Sequence, residues 1–164
     1  MEFTRNEAVA FTGHRNVQFS NEIVLRKCIA ATIETVYKNG KKVFITGMAM
    51  GFDLIAAEEV LKARKIHDDI RLIGAIPYPE QPVKFSIGWK KRYTDVKEKL
   101  DDTVIMSRAY HDRCYQERNV WMISHCSLLI ALYDGRKVSG TQFTVNRANK
   151  VGVQIINLND YVNG

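Results

Sequence analysis

Four stretches of the chain hold residues suited to gripping a small anion: Thr12-Gly13-His14-Arg15, TGMAMGFD from Thr46 to Asp53, PYPEQP from Pro77 to Pro82, and YDGRKVSGT from Tyr133 to Thr141. Glycine stands in three of them. A residue without Cβ permits positive φ and lets a bound group approach the main chain, so exposed N–H groups can cradle negative charge where a helix begins. Gly13, Gly47, Gly51, Gly135 and Gly140 are the candidates, with Thr12, His14, Met48, Ala49, Asp134 and Thr141 beside them. Arg15 and Arg118 offer the planar guanidinium fork that suits phosphate. The implied chemistry is capture of a phosphate-bearing ligand. Glycine also ends strands merely to turn the chain, and the G-x-x-x-G spacing of Gly47 and Gly51 carries little weight alone. Repetition of the pattern at several turns favours the functional reading. No G-K-[ST] follows and no G-x-G-x-x-G is present, so the chain has neither a Walker A loop nor a dinucleotide fingerprint.

Other polar and soft residues have two readings each. Asp53 accepts hydrogen bonds from a ribose or caps the helix that follows it, and capping is the more ordinary role. Met48 and Met50 line a base pocket or fill the core, again with the second more ordinary. His111 and Cys114 in YHDRCYQ lack a third group or an oxyanion turn, which points to a loop near the ligand rather than a cysteine–histidine enzyme. His125 and Cys126 supply only two soft ligands, so no metal is expected, and no cofactor is called for.

These residues need elements to position them. Apolar runs of strand length recur at 8–12, 42–46, 70–76, 103–107, 128–133 and 153–158, continuous rather than alternating, as in strands covered on both faces. Helical patterns lie between: one ending at Asn39-Gly40, one from about 53 to 65, one within 84–100 that Gly88 breaks or delays, one over about 116–124, and one from about 141 to 152. The expected fold is α/β, a Rossmann-like open parallel sheet of about six strands with helices on both faces. Ligands of such sheets sit at the carboxyl ends of the strands, where the four stretches fall.

The chain has 164 residues, 46% hydrophobic and 26% charged, with neither a low-complexity segment nor a domain boundary, so 1–164 is expected to be a single domain. Its opening residues lack the basic start and apolar run of a signal peptide, and no stretch reaches membrane-span length; a soluble, cytoplasmic protein is expected. Three cysteines without a C-x-x-C pair point to reduced thiols. The net charge of +6 favours polyanionic partners without distinguishing a nucleotide from DNA.

At AFTGHR, TGMAMGFDLIAAEEVL, IPYPEQ, the segment from Tyr115 to Asn119 and LLIALYDGRKVSGT the chain resembles the SLOG superfamily, specifically its YpsA-like branch of bacterial and phage proteins. That superfamily includes the Lonely Guy phosphoribohydrolases, which cleave the base from a nucleoside monophosphate, and DprA, which loads recombinase onto single-stranded DNA; other members are regarded as nucleotide sensors. The resemblance implies a nucleotide pocket, adds Pro77, Tyr78 and Asn119 to the ligand-binding candidates, and implies a homo-oligomer. ERNVWM looks like the hydrolase segment in which an arginine precedes a lysine and a methionine: Arg118 and Met122 match, and Asn119 replaces the lysine. The hydrolase glutamate after the Gly-Thr turn is missing, because Gly140-Thr141 is followed by Gln142, Phe143 and Thr144. Cleavage of a glycosidic bond needs carboxylates beside it, and the acids that could reach this edge are Glu117, Asp53 and Asp134.

Binding is therefore favoured over turnover: the chain is expected to bind a nucleoside phosphate, an ADP-ribose-like molecule or a cyclic signalling nucleotide as sensor, regulator or sequestering protein. Two alternatives stay open. One is a nucleotide hydrolase using Arg118 and Glu117. The other is single-stranded nucleic-acid binding, with Lys84, Lys90, Lys91, Arg92, Lys97 and Lys99 interleaved with Phe85, Trp89 and Tyr93, a mixture that equally describes a solvated helix face with its aromatics in the core.

Overall fold

The computed structural model describes residues 2–17, 19–135 and 139–162. Strands β1 (Ala8–Gly13), β2 (Val43–Thr46), β3 (Arg71–Ile76), β4 (Asp102–Ile105), β5 (Leu128–Leu132) and β6 (Gln154–Asn157) form one sheet in the order β4-β3-β2-β1-β5-β6, with every pair parallel. Helices α1 (Phe19–Lys38), α2 (Phe52–Ile66), α3 (Ile87–Lys97), α4 (Cys114–Ser124), α5 (Gly140–Val151) and α6 (Asn159–Val162) follow the strands in turn. This is the Rossmann-like α/β fold that the alternating pattern implies.

Successive residues of a strand point to opposite faces, and each face here has its own core. Val9 and Phe11 join Phe44, Leu72 and Ile130 against Leu25, Ile29 and Ile33 of α1 and Leu54 and Ile55 of α2. Ala8 and Ala10 join Val43, Ile45, Ala75 and Leu129 against Met122 and Ile123 of α4 and Val145 and Ala148 of α5. Burial on both faces is why the central strands are continuously apolar. β4 departs from that rule. The apolar run expected at 103–107 is a strand at Asp102–Ile105 whose exposure alternates, with Ile105 50% exposed, because an edge strand is covered less completely.

The segment around α3 resolves the ambiguity of its mixed lysines and aromatics. Phe85 and Tyr93 are buried and meet edge to face at 5.9 Å, and Trp89 is half-buried with the Arg92 guanidinium 4.1 Å over its ring. Lys84, Lys90, Lys91, Lys97 and Lys99 are exposed, so this is an amphipathic helix whose aromatics face the core. Gly88 does not delay the helix: it lies in the first turn, where the N–H groups need no intrahelical partner. Arg26 of α1 donates to Glu22 at 3.0 Å and, across to α2, to Glu58 at 2.5 Å and Glu59 at 2.7 Å, while Arg92 donates to Glu58 at 2.7 Å. Among the described residues no helix is long and apolar enough to cross a membrane, and no group of three or more His, Cys, Asp or Glu side chains could hold a metal.

Candidate functional site

The strand order reverses at β1, with β2, β3 and β4 on one side and β5 and β6 on the other, which makes the carboxyl ends of β1 and β5 a topological switch point. A cleft of about 520 Å³ opens there. The end of β1 and its loop contribute Thr12, Gly13, His14, Arg15 and Asn16; the turn into α2 contributes Ala49 and Asp53; and the start of α5 contributes Ser139, Gly140 and Thr141. The remaining wall is α4, with Tyr115, Arg118, Asn119 and Met122.

Asn16, Tyr115, Met122 and Ser139 were not among the expected ligand residues. For α4 a signal existed: positions 115, 118, 119 and 122 follow the 3-and-4 spacing of one helix face. The same phase carries Glu117 outward. It is exposed, pairs with His111 at 3.5 Å, and does not line the cleft. Asp134 also lies outside the lining, its Oδ1 3.0 Å from His14 Nε2. Gly135 adopts φ +85° beside it. Pro77 is buried, and Tyr78 is half-buried behind Tyr115, their rings edge to face at 6.0 Å. Neither lines the cleft. Arg136, Lys137 and Val138 of the YDGRKVSGT stretch lie outside the described residues.

At the glycines of TGMAMGFD the position of the missing Cβ is taken by this protein's own atoms. A Cβ on Gly47 would stand 2.6 Å from Arg118 Nη1 and 2.8 Å from Asp53 Oδ2, so the missing side chain makes room for a guanidinium and a carboxylate of this protein. Gly51, at φ +86°, is where the main chain passes against the Arg15 carbonyl, and the Cβ space of Gly13 is filled by the Phe52 ring. At Gly140 that space is open, as it is at Gly135, whose φ is +85°. Met48, although its φ is +60°, is fully buried in the core, as the ordinary reading of methionine has it.

Arg118 is 5% exposed and held by its neighbours: Nε donates to Asn119 Oδ1 at 2.7 Å, and Nη1 donates to the Gly47 carbonyl oxygen. That carbonyl also accepts from Gln81 Nε2 at 3.1 Å, which gives the PYPEQP stretch a supporting role. Burial lowers the Arg118 pKa, and the charge of Asp53 opposes the shift. Asp53 is the second residue of α2 and does not cap it; the N-cap position is Gly51. Its side chain turns back so that Oδ2 accepts from Ala49 N at 3.4 Å, while Oδ1 is buried without a hydrogen-bond partner. Burial pushes the Asp53 carboxyl up to about 6, against the pull of Arg118 and Arg15. At the opposite wall Ser139 Oγ accepts from Gln142 N at 3.0 Å and caps α5. The cleft thus combines two arginines, one buried carboxylate and an open helix start.

The comparisons with known proteins agree with this architecture. Residues 9–159 match the YspA SLOG family. The SPbeta prophage-derived protein YoqJ of Bacillus subtilis is 35% identical over 76% of this chain and 79% of its own, and a UPF0398 protein of Halalkalibacterium halodurans is 24% identical over 84% and 71%. Among solved structures, DNA processing protein A (DprA) of Streptococcus pneumoniae superposes with a TM-score of 0.66 at 18% identity over 92% of this chain. Its Helicobacter pylori counterpart, described by its single-stranded DNA binding mode, gives 0.64 at 18% identity over 93%. This chain spans 49% of the first and 64% of the second.

Proposed function

The chain belongs to the YspA SLOG family, and on that premise we propose that it binds a nucleotide-type ligand in the cleft at the carboxyl edge of the sheet, as sensor, regulator or sequestering protein. A nucleoside phosphate, an ADP-ribose-like molecule and a cyclic signalling nucleotide all suit it. One observation carries the reading: Arg15, the buried Arg118 and the open start of α5 at Gly140 border the same cleft of about 520 Å³. That size is usual for small-molecule sites, and a helix start beside guanidinium groups favours phosphate. Turnover is less well supported. Positions 142–144 hold no carboxylate and Glu117 points to solvent, which leaves Asp53 as the one acid among the described lining residues. Single-stranded nucleic acid remains an outcome of the test, through likeness in fold to DprA.

Thermal-shift titration of the intact protein against nucleoside mono-, di- and triphosphates, ADP-ribose and cyclic nucleotides tests the reading. A rise in melting temperature with at least one of them is expected. Gly140→Asp, placed where an added Cβ meets no neighbour, is expected to fold and to lose the shift by like-charge repulsion. No shift with any compound at millimolar concentration would end the proposal. Base release would move it to an enzyme, and oligonucleotide retention that weakens with salt would move it to nucleic acid.

A further inference from the structure

We propose that the floor of this cleft recognises a vicinal diol, so that the ligand carries an intact ribose and its 2′-deoxy counterpart is rejected. The inference rests on the nucleotide reading and narrows it. Asp53 and Arg118 are each 5% exposed, line the same cleft, and lie side by side against Gly47, whose missing Cβ leaves them room. Each is only partly committed. The internal bonds of Asp53 use Oδ2 and leave Oδ1 as an acceptor without a donor. Those of Arg118 use Nε toward Asn119 and Nη1 toward the carbonyls of Gly47 and Ala75, leaving Nη2 as a donor without an acceptor among the described residues.

A buried polar atom without a partner is costly, and a ligand that completes its bonding gains what the empty site forfeits. Phosphate cannot complete this one, because it would bring negative charge against a carboxylate. A lone hydroxyl would have to donate to one group and accept from the other at once, within reach of both. Hydroxyls on adjacent carbons satisfy both, one donating to Asp53 Oδ1 and the other accepting from Arg118 Nη2. The phosphate then falls to Arg15 and the start of α5 on the other walls. A ligand lacking the 2′-hydroxyl leaves one of the pair unmet, and sites built to bond a hydroxyl discriminate strongly against analogues without it. DNA strands are excluded from the cleft on the same grounds, although the fold is shared with DprA.

Calorimetric titration of the intact protein near neutral pH, using the four ribonucleoside 5′-monophosphates and ADP-ribose against their 2′-deoxy counterparts, tests this directly. Among the probes that bind, the ribo form is expected to bind at least about tenfold more tightly. Asp53→Ala is expected to bring that ratio close to one. Equal affinities for ribo and deoxy forms in the wild-type protein overturn the diol inference and leave the nucleotide reading standing; that measurement depends on no variant. A ratio that survives in Asp53→Ala overturns it as well, as does displacement of a bound ribonucleotide by a single-stranded deoxythymidine oligonucleotide. If no probe binds at millimolar concentration, the nucleotide reading falls and the diol falls with it.

Discussion

Gly51 and Gly140 are both strand-end glycines, yet their surroundings demand opposite outcomes on substitution. At Gly51 the backbone sits at φ +86° and a Cβ would run into the Arg15 main chain, which cannot swing aside as a flexible side-chain end can. Gly51→Ala is expected to cost about 3 kcal/mol or more, read as a lowered urea midpoint. Gly140→Ala meets nothing and is expected to stay within about 0.5 kcal/mol of the parent protein. At Asp53 the prediction concerns pH. Its carboxyl is raised from 3.8 to about 6, so the native state keeps a proton that the unfolded chain has already released. Its contribution to stability is therefore complete below about pH 4 and is lost as pH rises through about 6. Asp53→Asn is expected to gain about 1–3 kcal/mol near neutral pH and to flatten that part of the stability curve. Denaturant midpoints across the range check it. An unchanged midpoint at neutral pH would mean that Arg118 already compensates the buried charge in full.

Helices α1, α2 and α3 meet over one face of the sheet, and the ion pairs joining them are partly shielded from solvent. Arg26 reaches Glu58 at 2.5 Å and Glu59 at 2.7 Å, and Arg92 reaches Glu58 at 2.7 Å while stacking on Trp89. Shared partners make such charges interdependent, unlike isolated surface pairs. A double-mutant cycle of Arg26→Ala and Glu58→Ala is expected to give a coupling of about 1 kcal/mol that shrinks at high salt. Additive effects would reduce the network to a set of contacts without energetic weight. Helix phase is the other lesson at this scale. Arg118 and Glu117 are adjacent in sequence, but neighbours on a helix point about 100° apart, so one lines the cleft and the other meets solvent. The spacing of Tyr115, Arg118, Asn119 and Met122 already contained that phase.

Both helical layers pack on the same sheet, and the proposal that residues 1–164 act as one domain makes a prediction for the whole molecule. Trp89 packs with the cluster on one face and Trp121 with the cluster on the other, so each reports on its own layer. Trp89→Phe and Trp121→Phe variants are expected to show fluorescence transitions that coincide with each other and with far-ultraviolet circular dichroism. Separate midpoints for the two layers would divide the domain. The sequence by itself determined the parallel α/β sheet and the edge at which the cleft opens. Continuous apolar runs mark strands buried on both faces, and strand-end turns gather at one rim in any such sheet. Only the tertiary structure decided what those turns hold. Gly47 is bare because Arg118, 71 positions further along, needs the space, and the carboxylate left in the cleft is Asp53 rather than Glu117. Local sequence encodes conformation and periodicity; which distant side chain fills a given space is settled when the layers close on the sheet.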